Sequence, residues 1–363
     1  MTPSTYFTAT YAEARALFLE TARAAGATIE SHYNPEAGPD GGKLYTDVAR
    51  FGPMDAAKVC VATSGTHGPE GFAGSGIQVG FMKNGGHDKL ADGTALVLVH
   101  AVNPFGFAHI RRVNEDNVDL NRNFIRHPED HVANERYDEA RASLAPNELE
   151  GSDIEAVRAF VRSFIADKGA RELLETCSGQ YNDPKGLFYG GLKPAWSNNT
   201  LTAIVKKHCA QAKLVAYIDL HTGLGPHGYG EPISYHAPDE PQHQKAVAWL
   251  GESVTTPLGG SASVPKNRGK TGFGVIAALP DAEVVCVTLE FGTSPTEEVF
   301  GAIRAENWLQ FYGERNSDIG RAFKAEMRRV FYPDTDAWKA MVWERGDEIL
   351  SNAVAGLGKA KPI

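Results

Sequence analysis

Four apolar, β-branched runs constrain the fold of this chain more than any other feature: KVCVATSG at 58–65, ALVLVHAV at 95–102, KLVAYIDL at 213–220 and AEVVCVTLEF at 282–291. Unbroken apolar runs of this length suit strands buried on both faces, as in a mainly parallel sheet covered by helices. Helical patterns separate them at 152–169, 198–211, 240–254 and 296–311. Such alternation predicts an α/β fold. Residues 11–25 have the content of a helix that stops at Gly26, and KLYTDVARFG then alternates like a half-exposed strand, so the fold is expected to open with a helix and edge strands.

No linker of Pro, Gly and Ser divides the sequence, which predicts one domain over 1–363. Its motif-bearing core spans about 55–310, and two amphipathic helices at about 315–357, joined by FYPDTDAW, are expected to pack on the sheet without chemistry of their own. The polar stretch 126–150 reads as an excursion over the surface. A net charge of -9 and no Lys/Arg block argue against a nucleic-acid partner. No basic segment precedes an apolar one at the N-terminus and no run of ~18 apolar residues occurs, so neither a secretory leader nor a membrane span is expected. The cytoplasm is the expected address. Cys60, Cys177, Cys209 and Cys286 stand singly and read as reduced and buried.

Each apolar run ends in a polar, charged group: HGPE, then NPFGFAHIRRVNEDNVDLNRNF, then DLHTG, then LEFGT. In parallel α/β sheets, sites form outside the carboxyl ends of the strands, where residues remote in sequence converge. His67 and Glu70 stand three apart in a turn. With His221 they make two imidazoles and a carboxylate, a combination that holds catalytic zinc and leaves a fourth position open. An HxxE alone is common in solvated turns; its company here makes the case. Glu290 ends the run VVCVTL, where a carboxylate needs a partner or a task because burying a charge is costly.

These motifs, in this order, resemble those of the M14 zinc carboxypeptidase superfamily. Within it, GQYNDPKGLFYGG at 179–191 and PAWSN at 194–198 are similar to segments of the DUF2817 group, near the succinylglutamate desuccinylase and aspartoacylase branch. The resemblance covers roughly 55–310. It implies a zinc-carboxypeptidase-like (phosphorylase/hydrolase-like) fold, with a mixed, mainly parallel central sheet covered by helices on both faces. It also implies one Zn2+ per chain on His67, Glu70 and His221, with Glu290 as general base. Arg112 would donate to the oxyanion, with its neighbour Arg111 as the alternative, and Asn121 and Arg122 would bind a carboxylate.

The implied activity is hydrolysis of an amide bond in a small peptide-like substrate with a free carboxylate. The alternatives are deacylation of N-acyl amino acids and a non-catalytic, peptide-binding role on the same scaffold. Carboxypeptidases place a tyrosine shortly before the catalytic glutamate, but none occurs between 260 and 289, and Tyr229 and Tyr235 are the nearest. RGKTGFG at 268–274 lacks the spacing of a phosphate loop. It is expected to be a flexible loop bordering the pocket, with Arg268 or Lys270 available to a second anionic group. His100, His109, His127, His131, His227 and His236 are expected to be satisfied by hydrogen bonds rather than by zinc.

Overall fold

In the computed structural model, which describes residues 3–149, 153–262 and 267–360, the four apolar runs lie side by side. The chain enters through α1 (Tyr11–Ala24), started by a capping box in which the Thr10 side chain accepts from the Glu13 N–H and Glu13 caps the Thr10 backbone. An antiparallel hairpin follows, β1 (Thr28–Ala37) and β2 (Lys43–Phe51). Next come β3 (Lys58–Ser64), α2 (Gly71–Lys83), β4 (Thr94–His100) and α3 (Pro104–His109).

The middle of the chain adds α4 (Glu135–Leu144), α5 (Ile154–Lys168), α6 (Ala170–Thr176) and α7 (Trp196–His208). It then runs through β5 (Leu214–His227), β6 (Gly230–Ser234), α8 (Pro241–Leu250), α9 (Thr271–Ala278) and β7 (Glu283–Gly292). Three helices close the fold: α10 (Thr296–Phe311), α11 (Asp318–Phe331) and α12 (Asp336–Lys359).

The sheet has the order β1-β2-β4-β3-β5-β7-β6. Strands β4, β3, β5 and β7 are mutually parallel, while β2 and β6 join antiparallel at either side. This is the mixed, mainly parallel sheet that the apolar runs predict. Along β3, Cys60 and Ala62 enter one core with residues of α1, α2 and α12, while Val59 and Val61 enter another with α7 and α9. Both faces are therefore covered, and every residue of β4 is buried. From β3 the chain crosses to β4 on one side and later to β5 on the other, so a crevice opens above the carboxyl ends of β3 and β5.

Two sequence expectations need correction. The stretch 126–150 is more than a surface excursion, because it carries α4, whose Tyr137 and Leu144 lie seven apart on one helical face. Both are buried in a third core with Leu173, Phe300 and Val330. Residue 150, and residue 152 at the expected start of the next helix, lie outside the described residues. The segment 268–274 opens α9 rather than forming a flexible loop, since Thr271 at its start is fully buried. The four cysteines are buried and unpaired. Among the described residues no helix is long and apolar enough to cross a membrane.

Candidate active site

β3 ends at Ser64, and the chain turns through Gly65 at φ +67 into the 3-10 turn Gly68–Glu70, which runs on into α2. A Cβ on Gly68 would lie 2.0 Å from the Gly106 carbonyl carbon and 2.3 Å from the Arg111 oxygen. Glycine is what lets this turn close on α3 and the loop after it. The Gly68 N–H donates to the Arg112 oxygen at 3.4 Å, so the HGPE turn and the Arg112 loop are positioned together. On β5 the period of two puts Asp219 and His221 on one face, and the parallel register sets His221 beside Glu290 of β7.

His67 Nδ1 lies 2.8 Å from Glu70 Oε1, and His221 Nδ1 lies 2.8 Å from Glu70 Oε2. Ligand atoms of the three residues all fall within 4.8 Å of one another. The far ring nitrogens are held as well: His67 Nε2 is 3.1 Å from Asp119 Oδ1, and His221 Nε2 is 2.7 Å from Asp219 Oδ2. Carboxylates behind each imidazole fix the tautomer and aim Nδ1 inward, as around metal-ligating histidines. Asp219 is itself anchored by Thr63, Thr66 and Thr271 hydroxyls.

Burial raises the Glu70 carboxyl, but the two imidazoles outweigh it and hold it below the usual carboxylate range. Burial likewise lowers His221, yet Asp219 and Glu70 outweigh it and hold the ring well above its ordinary value. Two nitrogen donors and one carboxylate, each backed by its own hydrogen bonds, fit a divalent metal with a position left open.

Glu290, 9% exposed, is pushed up to about 7 by burial, with the Glu70 charge adding and His221 opposing. Its Oε1 accepts from the Leu224 N–H at 3.0 Å. The two neighbouring arginines have different partners. Arg111 is buried away from the cavity, donating to Glu306 Oε1 at 2.8 Å and Asn117 Oδ1 at 2.9 Å. Arg112 faces the ligand set, donating to Asp119 Oδ2 at 3.1 Å and Glu70 Oε1 at 3.4 Å.

Asn121 Oδ1 accepts from the Thr271 N–H, and Arg122 Nη1 donates to the Asn121 oxygen at 2.8 Å. The Phe188 ring lies 5.6 Å from the Arg112 guanidinium and 5.7 Å from that of Arg122. Phe188 takes φ 53, a left-handed backbone that costs a bulky residue energy and that the surrounding structure must impose.

One narrow cavity of about 100 Å3 is lined by His67, Glu70, Arg112, Asn121, Arg122, His221 and Glu290 together. The structure brings all seven sequence-derived residues to one place. Lys270 joins them, whereas Arg268 faces other cavities. Asp119 and Asp219 sit inside the quoted motifs without having been assigned a role. For Asp219 the signal was its spacing of two from His221 in a strand. Phe331, at the end of α11, closes part of the wall, so the C-terminal helices help to shape the cavity. Among the described residues no tyrosine lines the cavity. Tyr235 bonds Thr288 and Tyr229 is exposed. Of the six histidines set aside, His109, His127 and His227 lie within hydrogen-bond reach of backbone oxygens, and none belongs to the ligand cluster.

The fold is similar to several solved structures. Bovine thrombin-activatable fibrinolysis inhibitor, in complex with tick carboxypeptidase inhibitor, is 12% identical with a TM-score of 0.46, covering 96% of this chain and 98% of its own. Carboxypeptidase A from Helicoverpa armigera is 13% identical with a TM-score of 0.43, covering 90% and 74%. The succinylglutamate desuccinylase from Chromobacterium violaceum is 16% identical with a TM-score of 0.37, covering 88% and 77%. No curated protein matches the chain. Residues 7–345 match the model of the family described as protein of unknown function, DUF2817, and the chain belongs to that family.

Proposed function

We propose that this protein is a zinc-dependent hydrolase of an amide bond in a small substrate that carries a free carboxylate, acting in the manner of a carboxypeptidase. One observation carries the reading. A buried carboxylate with its acidity tuned towards neutrality, Glu290, shares a cavity with a preassembled two-histidine, one-carboxylate ligand set and with two arginines. Such a perturbed group in a cleft marks a functional site.

Zinc held by His67, Glu70 and His221 would supply Lewis acidity and lower the pKa of a water it binds. Asp119 and Asp219 keep both imidazoles turned inward. Glu290 takes a proton from the attacking water and passes it to the leaving amine nitrogen. Arg112, oriented by Asp119, donates to the oxyanion as charge grows on the scissile carbonyl. The guanidinium fork of Arg122 suits a planar carboxylate. Because the Thr271 N–H occupies Asn121 Oδ1, the Asn121 amide N–H groups are left to donate to the same ligand.

A second reading, deacylation of N-acyl amino acids, fits the same small cavity. Leu174 of α6, Phe300 of α10 and Phe331 of α11 wall it in, which suits a dipeptide or an acyl amino acid better than a long chain. Hydrolysis by the zinc-loaded protein, read by mass spectrometry, separates the two. Release of C-terminal residues from di- and tripeptides supports the first reading. Cleavage confined to N-acetyl or N-succinyl amino acids replaces it with the second, and no cleavage of either class overturns both.

A further inference from the structure

Helix α9 begins without a cap of its own, because Lys270 at its N-cap supplies no capping side chain. A buried N–H in the first turn of a helix needs a partner. The Thr271 N–H finds one in Asn121 Oδ1 at 3.0 Å, 150 residues away in sequence. Backbone pairing fixes the same junction, since the Phe124 N–H donates to the Gly269 oxygen at 3.0 Å. A Cβ on Gly269, which takes φ +74, would lie 2.5 Å from the Arg122 oxygen, so glycine is what lets the two segments come this close. Thr271 itself is fully buried.

Its hydroxyl serves the metal ligands. It donates to Asp219 Oδ2 at 2.7 Å, and the same oxygen lies 2.7 Å from His221 Nε2. The other oxygen, Oδ1, is held by the Thr63 hydroxyl at 2.7 Å and the Thr66 hydroxyl at 3.1 Å, and Thr66 reaches Oδ2 only at 3.3 Å. Thr271 therefore supplies the short hydroxyl bond to the oxygen that faces the imidazole. A carboxylate behind a ligating histidine sets the ring only as firmly as it is itself held. Asn121, at the carboxylate-binding end of the cavity, and His221, at the metal, are thus joined through one side chain and one backbone N–H.

We propose that Thr271 is a positioning residue that couples the two ends of the cavity: seated by Asn121, it holds Asp219, and through it His221, in the orientation that binds metal. The inference rests on the function proposed above in taking His221 as a metal ligand, but it depends on no substrate. It follows that changing the Asn121 side chain, which is outside the ligand cluster, alters the affinity for metal. The Asn121 backbone N–H, which donates to Asp119 Oδ1 at 2.9 Å, survives such a change, so the His67 side of the centre keeps its support.

The test measures zinc affinity of the full-length protein by competition with a chromophoric chelator, with the visible spectrum of the cobalt-substituted protein as a report on ligand geometry. Thr271→Val, of equal shape but without the hydroxyl, should weaken zinc roughly tenfold and alter the cobalt spectrum. Thr271→Ser should stay within about threefold of wild type, and Asn121→Ala should weaken zinc by roughly threefold to tenfold, the range of a lost neutral hydrogen bond. In the Thr271→Val background Asn121→Ala should add nothing further, because two changes along one chain of contacts are not additive. Unchanged zinc affinity in Thr271→Val or in Asn121→Ala overturns the inference, as does full additivity in the double variant. Thermal unfolding of the metal-free proteins separates positioning from mere support of α9: a lower Tm with unaltered zinc affinity overturns the inference too. A wild type that binds zinc with these dependences but cleaves no amide sinks the hydrolase reading alone, whereas a wild type that binds no zinc sinks both.

Discussion

At the scale of single residues, the division of labour follows from what each charge has beside it. Arg111 is matched within the protein by Glu306, whereas Arg122, which donates to the Asn121 and Cys177 oxygens, lines the cavity beside Asn121. Replacing Arg122 with Ala should raise KM for substrates with a free carboxylate by roughly tenfold to hundredfold and leave their C-terminal amides nearly unchanged, which steady-state kinetics on both series would show. An equal effect on the two series would remove the carboxylate role.

At the scale of elements, the site depends on close contact between the HGPE turn and the loop after β4. Gly68→Ala forces a methyl group into the backbone of Gly106 and Arg111. Overpacking of this kind costs roughly 1–3 kcal/mol. It should also weaken metal binding, because His67 and Glu70 flank the displaced residue. Thermal unfolding and metal titration of the variant would check both effects, and unchanged metal affinity would mean that the turn is less coupled to the ligands than the contact indicates.

Much of this level was legible in the sequence, because apolar runs such as VCVAT and VVCVTL report strands buried on both faces, and polar residues at their ends report the crevice. The misses share a physical cause. Helix α4 lies in a polar stretch whose two buried residues, Tyr137 and Leu144, find their partners far away in sequence. The short edge strand β6 exists through its pairing with β7 and carries no apolar run of its own. RGKTGFG reads as mobile from its glycines, but Gly269 is there to approach Arg122, and the segment is fixed by bonds to Asn121 and Asp219. Long-range contacts of this kind leave no local pattern.

At the scale of the whole molecule, the sheet brings together His67 and Glu70 from the turn after β3, His221 from β5, Glu290 from β7, and Arg112 and Arg122 from the segment after β4, while α6, α10 and α11 wall the cavity. A buried, preassembled set of two imidazoles and a carboxylate implies that metal binding supports the native state. Chelation should lower Tm and zinc should restore it, since a ligand present at a thousandfold excess over its Kd stabilises by roughly 4 kcal/mol. A Tm indifferent to both would argue against a built metal site.

The most direct test of the central claim compares wild-type protein with Glu290→Gln, measuring zinc per chain and turnover on the same samples. The account predicts one zinc per chain in both proteins, with turnover in the variant reduced by roughly 10²–10⁴. Loss of the metal from Glu290→Gln would make Glu290 a ligand, and undiminished turnover with the metal bound would remove it as the base; either result contradicts the account.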